Sequence, residues 1–259
     1  MADPTIPVMA FIFGACIGSF LNVCISRIPA SESIIRPPSR CPACLYPIRF
    51  YDNIPVLSYL WLHGKCRHCG QSIPLRYPLV EILTGVMAAL VIVYFGLTLN
   101  ALIYFALICA LIIIIYIDLD HQIIPDIISL PGILIGFLAS FPLDPLTYLD
   151  SIYGILLGGG LLFMIACGYY LITRKEGMGG GDIKLLAMIG AFLGWQGVFF
   201  TIFVASVTGT LVGCLLMLFA RKDLKFALPF GPFLSIGAIA YLFLGPQLIA
   251  WYFYGIYPF

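Results

Sequence analysis

Glu176-Gly177-Met178-Gly179-Gly180-Gly181-Asp182-Ile183-Lys184 interrupts a chain that is strongly apolar on either side of it. The glycines end one apolar run and the carboxylate opens the next, so the two runs read as separate lipid-embedded helices with an acid at their boundary. An acid at a membrane boundary is costly to hold and marks a functional site by default. One acid alone does little chemistry, so a partner is expected. Asp118, in Ile117-Asp118-Leu119-Asp120-His121-Gln122-Ile123-Ile124-Pro125-Asp126, closes another long apolar run and is the strongest candidate. The rest of the chain then reads as a device for holding these two acids together.

Composition agrees with a polytopic membrane protein. Of 259 residues, 62% are hydrophobic and 10% charged, against about 25% charged in soluble domains. There is no basic stripe, so nucleic acid is not an expected partner. No Lys or Arg precedes the first apolar run, whereas a cleavable signal peptide has a basic start; that run is expected to be a retained span.

Runs of membrane length fall at roughly 6–26, 78–96, 99–118, 126–141, 149–172, 183–194, 197–219 and 231–253. The fold expected is therefore an all-α membrane protein of about eight transmembrane helices. The fourth run contains Pro131. The sixth is short, roughly 18 Å of helix at 1.5 Å per residue against a hydrocarbon core of roughly 30 Å. Charge argues for a break at Gly194-Trp195-Gln196-Gly197 instead of one span over 183–219. Lys and Arg cluster in 27–77, beside the glycine stretch (Arg174, Lys175, Lys184) and after 220 (Arg221, Lys222, Lys225). Only with the break do all three clusters share one side, which the positive-inside rule makes cytoplasmic. Both termini then lie outside, and Asp118 and Asp182 lie at the same cytoplasmic face. The expected domains are a first span (1–26), a cytoplasmic loop domain (27–77) and a membrane core (78–259), with no internal repeat.

About fifty residues bury little core and need a staple. Cys41-Pro42-Ala43-Cys44 and Cys66-Arg67-His68-Cys69 supply one. Two Cys-x-x-Cys knuckles give four thiolates for a closed, structural tetrahedral zinc site, with no open position for chemistry. Disulfides or redox work, and unliganded thiols, are the alternatives; a reducing cytoplasm disfavours disulfides. The other five of the nine cysteines, Cys16, Cys24, Cys109, Cys167 and Cys214, sit singly in apolar runs and are expected to be small buried hydrophobes.

The acids have plainer readings too. Asp182 would serve as a helix N-cap, Asp118 as an exposed loop acid, Asp126 as a first-turn acid of the fourth span, and His121 as a loop polar residue. Asp120 and Asp126 remain alternative carboxylates. Glu81 either snorkels to the interface or lines a substrate groove; Asn22 is expected to be structural. What raises Asp118 and Asp182 above this is chemistry: two carboxyls sharing a proton activate a water and protonate a leaving amine. Glycines beside the acid, Gly179 and Gly181, let a peptide backbone approach closely. With Asp182 opening a helix and Asp118 ending one, the dipoles are expected to make Asp182 the base and Asp118 the acid, although a coupled pair titrates as a unit.

These motifs resemble those of the type IV prepilin peptidases of pilus and type II secretion systems. Gly18-Ser19-Phe20-Leu21-Asn22-Val23, the two cysteine knuckles, Arg76-Tyr77-Pro78-Leu79-Val80-Glu81, the two acidic stretches and Pro229-Phe230-Gly231-Pro232-Phe233 carry the likeness across nearly the whole chain. The Gly-x-Gly-Asp element is shared with presenilin-like proteases and says little alone; archaeal preflagellin peptidases usually lack the cysteine loop. The resemblance implies a bacterial inner-membrane aspartic endopeptidase that uses Asp118 and Asp182 to cut a basic leader from prepilins or pseudopilins. It also implies N-methylation of the new terminus by S-adenosylmethionine, of which the residues themselves give no sign beyond the basic 27–77 loop as a place for it. A proton-moving transporter, a zinc metalloprotease and a structural assembly protein are the rivals. Acids at one face and the lack of repeats disfavour the first, and the absence of His-Glu-x-x-His disfavours the second.

Overall fold

The computed structural model describes residues 4–174, 179–220 and 228–255; Lys175, Glu176, Gly177, Met178, Arg221, Lys222 and Lys225 lie outside them. Among the described residues every regular element is a helix. They are α1 (Thr5–Arg27), a short α2 (Leu57–Trp61) after a 3-10 turn at Phe50–Asn53, α3 (Arg76–Phe95), α4 (Leu99–His121), α5 (Asp126–Ala139), α6 (Tyr148–Thr173), α7 (Gly180–Ala220) and α8 (Gly231–Tyr254). Six of them are long and apolar enough to cross a membrane, and α5 is shorter. The protein is thus a multi-pass helical membrane protein.

Each apolar run of the sequence corresponds to a helix or to part of α7. That helix carries non-helical backbone at Gly194 (φ 69°, ψ −177°), a left-handed φ that glycine adopts without strain. Its first part, from Gly180 to the break, is about 14 residues or roughly 20 Å long, which is short for a hydrocarbon core of roughly 30 Å. The chain divides into two compact units, Met1–Ile113 and Ile114–Phe259. That division falls inside α4.

Small residues set the helix packing in both units. In the first, a side chain at Gly14 would strike Ala88 Cβ at 2.5 Å, and one at Gly18 the Glu81 backbone at 2.7 Å, so α1 and α3 meet with their backbones close. In the second, Gly136 of α5 leaves room only for Ala191 and Phe192 of α7, and Gly154 of α6 lies against the Gly190 backbone. Gly158 lies against Leu186 O. Without water to drive helices together, close van der Waals contact of this kind does the work. Ser151 Oγ adds a hydrogen bond across α6 and α7, to Ala191 O at 2.8 Å. Helix α6 begins with a capping box, in which Thr147 Oγ1 accepts from Asp150 N and Asp150 Oδ2 accepts from Thr147 N.

The single cysteines depart from expectation. Cys24 is buried, but Cys16, Cys167 and Cys214 are exposed on their helices. The reason is the solvent. In a membrane the outside of a bundle is apolar as well, as exposed Phe13, Phe203 and Leu218 show, so an apolar residue need not be inside.

Candidate active site

Asp118 lies near the C-terminal end of α4 and is 5% exposed. Its Oδ2 accepts a hydrogen bond from the backbone N–H of Gly231, the first residue of α8, at 3.0 Å. Asp182 lies in the first turn of α7, whose first residue is Gly180, so it is inside the helix and not its N-cap. Its backbone N–H donates to Gly179 O at 3.2 Å.

Ile124 links the two acids. A side chain on Gly181 would meet Ile124 Cβ at 2.9 Å; one on Gly231 would meet Ile124 Cδ1 at 3.3 Å and Asp118 Oδ2 at 2.6 Å. The glycine beside Asp182 and the glycine bonded to Asp118 thus close on one isoleucine, within the second unit. The Asp118 carboxyl acts electrostatically on Asp182. The site is assembled from the ends of α4, α7 and α8.

Helix dipoles do not divide the two roles as expected. Asp118 ends α4, but it faces the N-terminus of α8, and Asp182 opens α7. Both carboxyls therefore sit at positive helix ends, and the contrast expected between base and acid is lost.

The neighbouring acids are placed differently. Asp120 and His121 are exposed at the end of α4. Asp126 is in the first turn of α5 and pairs with Lys184 of α7, whose Nζ lies 2.7 and 2.8 Å from its carboxylate oxygens. That ion pair ties the start of α5 to the turn carrying Asp182. Neither it nor the Gly231 N–H was expected. The Pro229-Phe230-Gly231 motif was the one signal for the latter, but a backbone donor has no side chain to announce it.

In the first unit Cys41, Cys44, Cys66 and Cys69 bring their sulfurs within 4.8 Å of one another. Cys41 Sγ and Cys69 Sγ are 3.8 Å apart, far beyond a disulfide bond. Four Zn–S bonds of about 2.3 Å make a tetrahedron with edges of about 3.8 Å, so the donor set fits a closed zinc site. The two knuckles are built alike at one constant offset. Each has a Cys carbonyl accepting from the residue after the second cysteine (Leu45 N to Cys41 O, Gly70 N to Cys66 O). Each has that residue at positive φ, and each is closed by a bridge, Arg40 with Pro47 and Lys65 with Ser72. This repeat was not expected from the sequence. The Cys44 backbone N–H holds the Cys41 thiol down to about 7, while burial and the neighbouring sulfurs push the Cys69 thiol up to about 11, so the first proton leaves the cluster from Cys41. His68 stacks on Tyr46 at 4.4 Å between ring centres, and Arg67 grips Asp52 through Nε and Nη2.

Glu81 does not snorkel. It is 9% exposed and accepts from Val56 N at 2.8 Å, facing a cavity within the first unit. Asn22 is structural, as expected: its Nδ2 donates to Tyr77 O at 3.0 Å across α1 and α3. Gly179 is exposed, with nothing near its Cβ position among the described residues.

The chain is similar to known proteins over most of its length. Residues 12–95 match the bacterial peptidase A24 N-terminal domain and residues 105–214 match the type IV leader peptidase family. A prepilin leader peptidase/N-methyltransferase of Stutzerimonas stutzeri is 37% identical over 94% of this chain and 92% of its own length. One of Pseudomonas aeruginosa is 35% identical over 93% and 91%. One of Myxococcus xanthus is 40% identical over 83% of this chain, which spans 64% of that relative's length. No solved structure matches. With both family models matched in order, and relatives covered almost end to end, the chain belongs to the type IV leader peptidase family.

Proposed function

We propose that the chain is an inner-membrane aspartic endopeptidase that removes the basic leader from prepilins or pseudopilins with Asp118 and Asp182, and then N-methylates the new terminus with S-adenosylmethionine. The observation that carries the peptidase reading is the convergence of a buried carboxyl on α4 and a first-turn carboxyl on α7 around Ile124 and Gly231.

Two interacting carboxyls share one proton. The ionised member takes a proton from water, the hydroxide attacks the scissile carbonyl, and the other carboxyl gives its proton to the leaving amine. The Gly231 N–H fixes the Asp118 carboxyl throughout, and Lys184 with Asp126 holds the Asp182 turn against α5. The exposed Gly179, which no other described residue crowds, gives the substrate backbone room beside Asp182. With the basic loops cytoplasmic and both termini periplasmic, a prepilin whose apolar helix lies in the bilayer presents its leader junction to this face. The four cysteines hold a structural zinc that staples the loop and takes no part in hydrolysis.

Co-expression of a prepilin with Asp118→Asn or Asp182→Asn tests the pair. Each change is expected to abolish cleavage, scored by gel mobility, while the protein still inserts. Normal cutting by either variant overturns the pair and redirects attention to Asp120, Asp126 or Glu81.

A further inference from the structure

A cavity of about 630 Å³ lies in the first unit, between the cysteine loop and the adjoining ends of α1 and α3. Its volume is in the range of roughly 300–1,000 Å³ typical of small-molecule sites, so it suits a cofactor-sized ligand. Its walls include Ser19, Asn22, Tyr46, Arg49, Tyr77 and Glu81.

Three features mark it as a built site. Glu81 is a buried carboxylate on the wall of this partly open cavity; it accepts from the Val56 N–H and the Ser19 side chain, and no cation meets it among the described residues. Buried charges ordinarily have a counter-charge. The Val56 turn is strained, since a β-branched residue stands at φ 63° and ψ −49°, a conformation that persists only where surroundings over-determine it. Its N–H is spent on Glu81. Arg49 is exposed at the same cavity, and among the described residues it is met by the hydroxyls of Tyr51 and Tyr46 and by no carboxylate.

We infer that this cavity is the methyl-donor site, with Glu81 facing the sulfonium of S-adenosylmethionine and Arg49 facing its carboxylate. The inference rests on the methyltransferase half of the proposed function. The donor's chemistry matches the wall: a cation wants the buried carboxylate, a free carboxylate wants a guanidinium that only tyrosine hydroxyls meet among the described residues, and an adenine wants an aromatic face, which Tyr77 offers. Glu81 belongs to α3, so the sulfonium lies at the membrane-helix end of the cavity, where an apolar substrate helix delivers its terminus. When bound, the donor supplies a methyl: the amine nitrogen forms a bond to it, the sulfur keeps the electron pair as a neutral thioether, and the amine's proton passes to water.

The full chain in nanodiscs tests this by equilibrium binding of S-adenosylmethionine and of its neutral product S-adenosylhomocysteine. Glu81→Gln keeps an acceptor for the Val56 N–H but loses the charge. It is expected to raise the Kd of the cationic donor by at least about tenfold, as truncation of a buried charge pair does, and that of the neutral product by less than about threefold. Arg49→Met removes a contact common to both and is expected to weaken both alike. Hydrogen exchange adds a readout that needs no variant: the donor is expected to protect amides of 53–59 in the unaltered chain. Equal effects of Glu81→Gln on donor and product, or protection confined to other segments, overturn the inference while leaving the methyltransferase reading intact. No donor binding at all overturns both, and leader cleavage in the same preparation shows whether the peptidase reading stands apart.

Discussion

The four sulfurs of the cysteine loop come from two tetrapeptides, Cys41–Cys44 and Cys66–Cys69, folded into matching knuckles. The carboxyls of Asp118 and Asp182 come from the ends of two helices, and their setting is completed by the backbone of a third at Gly231. The first site is written locally and needs only a short loop to close. The second exists only once α4, α5, α7 and α8 are packed. The two regions should therefore fail differently: the loop by losing its staple, the carboxyl pair by small displacements of helix ends.

The largest effect separates them by chemistry. Asp118→Asn and Asp182→Asn should each lower prepilin cleavage by about 10³-fold or more, as loss of a general acid–base group does. Both variants should still bind S-adenosylmethionine in the other unit. Lost donor binding in either variant would break the division of labour.

Next comes geometry. A side chain at Gly231 would press on Asp118 Oδ2 at 2.6 Å. Gly231→Ala should lower the cleavage rate constant by about 10²-fold, the order expected of a small misplacement, with insertion intact. A near-normal rate would mean that the Gly231 contact does not position the acid.

Metal removal acts on the other region. Chelation should expose the 27–77 loop to trypsin and weaken donor binding by about tenfold or more, since structural zinc is folding free energy for a small domain. Cleavage should fall by less than about fivefold if the loop does not hold the carboxyl pair. Immediate loss of all turnover would favour a metalloprotease instead.

The smallest effect concerns the ion pair. Lys184 and Asp126 are both partly exposed, and exposed pairs contribute about 0.2–1 kcal/mol. Lys184→Met should lower cleavage only about twofold to fivefold, and Asp126→Asn with it should add little further.

Legibility in the sequence followed the same division. The cysteine spacing announced its tetrahedron, because ligands three apart on a tight turn share one direction. The helices were legible from apolar runs, and the break at Gly194 from the placement of Lys and Arg. The way helices pack was less so. Gly14 with Gly18, Gly132 with Gly136, and Gly154 with Gly158 repeat one small-residue spacing, a known signature of close helix approach that apolar-run reading passes over. The Gly231 donor and the Val56 turn were invisible for another reason: a backbone N–H is present at nearly every residue, and only the fold gives one of them a carboxylate. Glu81 was ambiguous between interface and groove because burial depends on a loop that lies before it in the chain.

In the proposed cleavage Asp118 and Asp182 act as one unit. Leader cleavage should therefore be measured in purified proteoliposomes for the two Asn variants and for the double variant. A unit predicts that each single change is as severe as both together, since removing either carboxyl dismantles the pair. Two partial losses that multiply in the double variant would contradict it, and would mean that the two acids serve the reaction independently.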